Sequence, residues 1–314
     1  MDIISVILIL LGLSLFEIII SVDNAIINAE VLSTMSQKAR RWFLLWGIII
    51  GVFVVRGLLP WLIIWANNPS LGPIGAFTAS FSADPSIAKT IEESAPILLI
   101  AGGTFLVFLF FHWLFLEPKH YGIIGEEFIH KQGVWFFAVV SVLLAAIVWH
   151  AIKIKPLLAF GAVVGSTAFF ITHGFKENAE EAEKRMLEGS GNMSDLSKIL
   201  YLEVIDMTFS VDGVLGSFAF TFAVPLILIG NGIGAMVVRQ LTVSNIERVK
   251  KYKYLKNGAM YSIFALGIVM LADSFGMHIP QWVSPVVTFS IIGYFFYKSI
   301  KEVKKSDAAS DISN

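Results

Sequence analysis

Two short motifs place carboxylates inside long apolar stretches of this chain. Residues 21–27 read SVDNAII and residues 210–216 read SVDGVLG. In each motif, another acidic residue precedes the aspartate by six positions. Glu17 precedes Asp23, and Asp206 precedes Asp212. An ionisable residue at membrane depth costs about 2.5 to 3.5 kcal/mol even on the lower scales, so it marks a functional site by default.

The helical repeat groups further oxygen-bearing residues with these acids. At about 100° per residue, Glu17 shares a face with Ser14, Ser21 and Asn24. Asp206 likewise shares a face with Glu203 and Ser210. Hard oxygen ligands suit Mg²⁺, Ca²⁺ or Mn²⁺, and a chain without cysteine has no thiolate to offer a softer metal. The predicted metal ligands are Asp23, Asp212, Glu17, Asp206, Glu203, Asn24, Ser21 and Ser210. So many carboxylates cannot all stay ionised in a low dielectric, so metal binding is expected to release protons.

The aspartates of the two motifs do not share the face of their neighbouring serines. On an unbroken helix, Asp23 and Asp212 lie about 200° from Ser21 and Ser210. Either each aspartate faces a different neighbour, or the helix breaks at Ser-Val-Asp and turns the carboxylate inward. Broken helices line ion sites in transporters, and Gly213 eases unwinding, so we expect the break.

Composition predicts an all-α polytopic membrane protein. The 314 residues are 56% hydrophobic and 15% charged, with a mean hydropathy of +0.76. We predict nine membrane spans, at about 3–30, 42–64, 95–116, 134–151, 157–173, 199–219, 224–246, 258–276 and 281–298. The first is expected to be a retained span, since it lacks a basic signal-peptide start. With the N-terminus outside and the C-terminus in the cytoplasm, 18 of the 23 Lys and Arg residues fall on the cytoplasmic side.

This topology predicts an inverted repeat. Span one and span six carry the two motifs and cross the membrane in opposite directions, which is typical of transporters with a binding site between two halves. A second pair, GVFVVRG at 51–57 and GAMVVRQ at 234–240, follows in the same order. The predicted organisation is a first half, 1–174, a charged cytoplasmic linker, 175–198, a second half, 199–305, and a disordered tail, 306–314.

The motifs resemble those of the TerC family of integral membrane proteins, in the wider LysE-type transporter group. The resemblance rests on the acidic residue before SVDN in the first span and on Glu203, Asp206 and SVD in a later one. It implies export of Mn²⁺ from the bacterial cytoplasm through the cell (inner) membrane, with the acidic residues of both motif helices as ligands. The nine predicted spans and the long 117–198 region place this chain in a longer branch.

Two other classes stay open. An intramembrane aspartyl protease also needs two aspartates on facing helices, but it shares one proton between two carboxylates, and this chain has a surplus. A scaffold or sensor that transports nothing is the other alternative. We expect no enzyme activity, no resident cofactor and no nucleic-acid partner; the expected partners are the lipid bilayer and a divalent cation as substrate. His173 and Asp273 are further candidates, each with a structural role at the membrane interface as the alternative.

Overall fold

The computed structural model describes residues 2–21, 31–32, 34–47, 50, 58, 61–62, 65, 69–81, 85–188, 194–244 and 251–313. Over these ranges the chain is helical and contains no β-strand. The α-helices are α1 (Ile3–Ile20), α2 (Gln37–Trp42), α3 (Gly72–Phe81), α4 (Pro85–Leu116), α5 (Glu126–His130), α6 (Phe136–Ile154), α7 (Pro156–Glu188), α8 (Asp195–Ser217), α9 (Val224–Ser244), α10 (Leu255–Ser274) and α11 (Val283–Ser313). Short π and 3-10 turns join some of them, including a π-helix at Phe43–Gly47.

Six stretches in the described part are long and apolar enough to cross a membrane. They are Ile3–Ile20, Ala95–Leu116, Gly133–Ile154, Pro156–Phe175, Leu255–Ser274 and Val283–Lys305. They correspond to predicted spans one, three, four, five, eight and nine. Predicted span seven contains a shorter apolar helix, Val224–Gln240, and span six corresponds to the more polar α8. Most of span two lies outside the described residues, so nine crossings stay a prediction.

The helices pack around α4 and α10. Helix α4 contacts α7 and α10, α6 covers α7, and α11 covers α10. Large buried rings fill the centre, among them Phe105, Phe108, Trp113 and Phe169. Helix α1 lies beside α9 and also contacts α8, α10 and α11. The first motif helix is therefore held between elements of the second half of the chain.

Two expectations about local structure can be compared with the described backbone. The predicted break at the second Ser-Val-Asp is wrong, because α8 runs as one α-helix through residues 210–213. In the first copy α1 ends at Ile20, with Ser21 as its C-cap, and the rest of that motif lies outside the described residues. The 306–314 tail was expected to be disordered, but α11 continues to Ser313. The charged linker is helical as far as Glu188, as an extension of α7.

Candidate functional site

Glu17 is a buried carboxylate where α1 meets α8 and α9. Only 1% of its surface is exposed, and its Oε1 accepts a hydrogen bond of 2.7 Å from Ser21 Oγ. The spacing of four residues predicted that these two side chains share a face, and the hydrogen bond confirms it. Two glycines make room for Glu17. A Cβ added to Gly234 of α9 would lie 2.6 Å from Glu17 Cβ, and one added to Gly213 of α8 would lie 3.4 Å from Glu17 Oε2.

Helix α1 and helix α8 run in opposite directions along each other. As the residue number increases along α1, the number of the contacting residue decreases. Gly12 lies against Phe220, Phe16 against Gly216, and Glu17 against Gly213. The same order continues beyond residues 22–30, which the structure does not describe. Lys198 Nζ donates to the Thr34 carbonyl at 3.1 Å, and Ser36 Oγ donates to Asp195 Oδ2 at 2.5 Å. This antiparallel direction is the one that an inverted repeat requires.

A pair of contacts relates the two halves more directly. Ser14 Oγ of α1 donates to the Gly230 carbonyl of α9 at 3.0 Å. The register of the two SVD motifs maps Ser14 onto Glu203, and the register of the GVFVVRG pair maps Gly47 onto Gly230. Glu203 in turn lies on Gly47, where an added Cβ would be 2.7 Å from Glu203 Oε1. One contact thus recurs between positions that the two motif registers make equivalent, which supports the internal repeat.

The predicted ligands are not all in one place. Asp212 precedes Gly213 on α8 and is partly buried at the level of Glu17. Glu203 is buried nine residues earlier on the same helix, roughly 14 Å along its axis at 1.5 Å per residue. Glu203 therefore does not share one ion with Glu17, and its inclusion in a single cluster is corrected. Among the described side chains, no three His, Cys, Asp or Glu residues come together as a metal site.

Four predicted ligands cannot be placed by their side chains. Asp23 and Asn24 lie outside the described residues, and so do the side chains of Asp206 and Ser210 within α8. The backbone of α8 nevertheless fixes the order Glu203, Asp206, Ser210, Asp212 along one continuous helix. Along the helix axis these positions extend from the π-helix to the level of Glu17, but around the axis Asp212 lies about 180° from Glu203 and about 120° from Asp206.

A buried hydrogen-bond chain lies behind Gly213. Asn231 of α9 is fully buried and donates from Nδ2 to Ser217 Oγ at 2.9 Å, and Ser217 Oγ donates to the Gly213 carbonyl at 2.6 Å. These bonds join α8 to α9 within about one turn of Asp212. Asn231 therefore serves as a polar contact between these two helices.

Sequence reasoning missed a polar network around the 117–135 connection. Glu126 is buried and accepts from Gly122 N at 2.6 Å, Tyr261 Oη at 2.9 Å and Asn257 Nδ2 at 3.1 Å. Lys119 donates to the last carbonyls of α4, and partial burial lowers its pKa to about 8. Nothing in the sequence distinguishes buried Glu126 from its exposed neighbour Glu127.

The two further candidates, His173 and Asp273, make contacts that give them structural roles. His173 lies against His112, with ring centroids 3.7 Å apart, and His112 Nδ1 is 3.5 Å from Glu117 Oε1. Asp273, near the end of α10, accepts from Ile279 N at 3.1 Å and so caps the following turn. Both lie far along the chain from Glu17, and neither belongs to the α1–α8 contact.

Comparisons with known proteins agree with a membrane protein. Residues 22–306 match the family described as "Protein of unknown function (DUF475)". Over 117 residues the chain is 26% identical to an uncharacterized membrane protein, YceF, of Bacillus subtilis. That match covers 36% of this chain and 45% of the relative, so the chain spans less than half the length of the curated relative it matches. No solved structure matches. Because the family match extends over most of the sequence, the chain belongs to the DUF475 family and is a membrane protein with several membrane-spanning helices.

Proposed function

We propose that this protein is a transporter that exports a divalent metal cation, Mn²⁺ in the first place, from the bacterial cytoplasm. The proposal extends the TerC resemblance of the two SVD motifs. It takes the chain as a nine-span inner-membrane protein with an inverted repeat, the N-terminus outside and the C-terminus in the cytoplasm.

The observation that carries the proposal is the burial of Glu17 at the contact between the two motif helices. A carboxylate removed from water is costly unless a cation, a proton or several donors compensate it. Glu17 is held by packing on two glycines, and Asp212 lies at the same level on α8. An apolar helix contact has no need for these acids, whereas a cation that binds and leaves does need them.

The described geometry favours carboxylates spaced along the axis of α8 over one crowded cluster. Along α8, Asp206 lies roughly 4.5 Å beyond Glu203, and Asp212 roughly 9 Å beyond Asp206. We propose that Glu203 and Asp206 receive the cation from the cytoplasmic end. Asp23 then binds it together with Asp212 and Glu17, with Ser21 and Asn24 as neutral oxygen ligands. On the unbroken α8, Ser210 lies about 200° around the axis from Asp212 and on the face of Asp206, so in this proposal it contacts the cation at the earlier position.

An exporter also needs an energy source. A membrane potential of about 100 mV, negative inside, opposes the exit of a dication by about 4.6 kcal/mol. Proton exchange through the surplus carboxylates offsets this cost in the proposed mechanism. The ions and protons move through side chains of this chain, without a resident cofactor.

The proposal is tested in cells that lack the protein. Loss of the gene is expected to raise cellular manganese and sensitivity to it, and the wild-type protein is expected to restore both. Asp23→Asn and Asp212→Asn are expected to reach the membrane without restoring either. Glu127→Gln, the same type of change on an exposed carboxylate, is the control and is expected to restore both. Full rescue by either aspartate variant would remove that aspartate from the site.

A further inference from the structure

At one end of the α1–α8 contact, a phenylalanine ring of each segment packs on a glycine of the other. We call this reciprocal packing the exchange. The Phe16 ring of α1 lies on Gly216 of α8, where an added Cβ would overlap it. The Phe220 ring lies on Gly12 of α1, where an added Cβ would be 2.8 Å from the ring. The two rings also touch each other, with centroids 5.7 Å apart. Each ring therefore packs on bare backbone of the opposite segment.

This exchange separates Glu17 from one face of the protein. The turn at 218–223 joins α8 to α9, and Ser284 Oγ at the start of α11 donates to the Ala219 carbonyl there at 2.6 Å. We call this side the 218–223 face. Phe16 and Phe220 lie between that face and Glu17, and both are 1% exposed. Leu13 and Val214 are also fully buried, and they belong to the same hydrophobic cluster as the two rings.

The opposite end of the same contact is built differently. There the two segments are joined by polar bonds, from Lys198 to Thr34 and between Ser36 and Asp195. The repeat register maps the four residues of the exchange, Gly12, Phe16, Gly216 and Phe220, onto Tyr201, Ile205, Ile27 and Val31. None of these equivalents is a glycine, so the ring-on-glycine packing belongs to one half of the repeat.

The exchange can open without breaking a helix. Helix α8 ends at Ser217, so Phe220 is carried by the connecting turn. Neither glycine has a side chain that interlocks with the ring lying on it. The other side chain close to Gly12 is Pro285, whose Cβ is 3.1 Å from the position of an added Cβ. A dry apolar constriction of this kind stops ions because water does not fill it.

We propose that Phe16 and Phe220 form a gate between the carboxylates and the 218–223 face, with Gly12 and Gly216 as the surfaces on which the rings close. This inference rests on the proposed cation transport, in which the 218–223 face is the exit side. The rings must leave the glycines for the cation to pass from the level of Glu17.

The gate is tested by the accessibility of one cysteine in reconstituted vesicles without Mn²⁺. The chain has no cysteine of its own, so Ser21→Cys, beside Glu17, supplies the reporter. A membrane-impermeant, positively charged thiosulfonate is added from one side. Met277→Cys, which lies on the exposed turn before α11, identifies which side is the 218–223 face.

Phe16→Ala is expected to raise the rate of labelling from the 218–223 face at least tenfold and to leave the rate from the other face unchanged. Phe105→Ala is the matched control, because Phe105 is equally buried but packs against Phe169. It is expected to leave both rates within about twofold of wild type. If Phe16→Ala does not fold, Phe220→Ala on the turn is measured in the same way.

Equal labelling of the gate variant and the Phe105→Ala control would overturn the gate. So would an increase from the opposite face alone. Labelling is measured without Mn²⁺ and does not require transport. Failure of the gate and failure of the transport proposal can therefore be distinguished. If the gate variants show the expected labelling but the wild-type protein moves no Mn²⁺, only the transport proposal is contradicted.

Discussion

Replacing Gly234 by alanine tests whether the position of Glu17 matters for metal binding. The new Cβ would lie 2.6 Å from Glu17 Cβ and 2.7 Å from the Ser14 carbonyl oxygen. Ordinary contact begins at 3.4 Å, so the two helices must separate by about 0.7 to 0.8 Å. The Ser14 carbonyl is backbone, so α1 itself has to move. Metal–oxygen distances tolerate about 0.2 Å, so this displacement is large for a ligand.

We expect Gly234→Ala to lower Mn²⁺ affinity at least tenfold, which is about 1.4 kcal/mol. Overpacking of about 1 to 3 kcal/mol is partly offset by the gain of about 1 kcal/mol for alanine over glycine in a helix. Stability should therefore fall by about 2 kcal/mol at most. Titration calorimetry gives the affinity, and thermal unfolding in detergent gives the stability.

Gly293→Ala is the matched control, because a Cβ at that position in α11 meets nothing within 4 Å. It is expected to keep wild-type affinity and to be as stable as wild type or slightly more so. If Gly234→Ala loses stability but binds Mn²⁺ as wild type does, Glu17 is not a ligand. If the two variants behave alike in both measurements, the close contact between α1 and α9 is wrong.

Three further predictions concern the polar network around the 117–135 connection and proton release. Glu126→Gln should lower stability by about 1 to 3 kcal/mol, because the amide turns donors toward Asn257 and Tyr261, whereas exposed Glu127→Gln should not change thermal unfolding. Amine acylation followed by mass spectrometry should give a pH midpoint near 8 for Lys119, because burial disfavours its charged form, and one above 10.5 for Lys131, because its bond to Glu127 raises the pKa. Mn²⁺ affinity should fall between about pH 8 and 6 as protons compete for the carboxylates. Calorimetry in buffers of different ionisation enthalpy should detect released protons, in smaller number for Glu17→Gln and in unchanged number for the exposed control Glu127→Gln.

The motif helices were largely predictable because their signal is local. Helical spacing placed Ser21 beside Glu17, and the hydrogen bond between them follows from that spacing. The repeat register predicted which positions are equivalent, and the contact of Ser14 with Gly230 recurs as that of Glu203 with Gly47. Apolar length gave the six spans that the described residues show.

The remaining features depend on contacts between distant parts of the chain. Gly213 reads in sequence as a point of unwinding, but in the structure it gives α1 a close approach to an unbroken helix. The separation of Glu203 from Glu17 depends on that unbroken helix as well. Glu126 and Glu127 are identical neighbours, and only the packing of α10 against the 117–135 connection buries one of them. No periodicity in the sequence carries that information.

Manganese flux into proteoliposomes tests the transport proposal most directly. The purified protein is reconstituted with a metal-sensitive dye inside, and flux is compared for wild type, Glu17→Gln and Glu127→Gln at equal protein density. The wild-type protein and Glu127→Gln are expected to move Mn²⁺ at the same rate, and Glu17→Gln at no more than a tenth of it. Absence of flux through the wild-type protein, or wild-type flux through Glu17→Gln, would contradict a cation pathway through the carboxylates between the two motif helices.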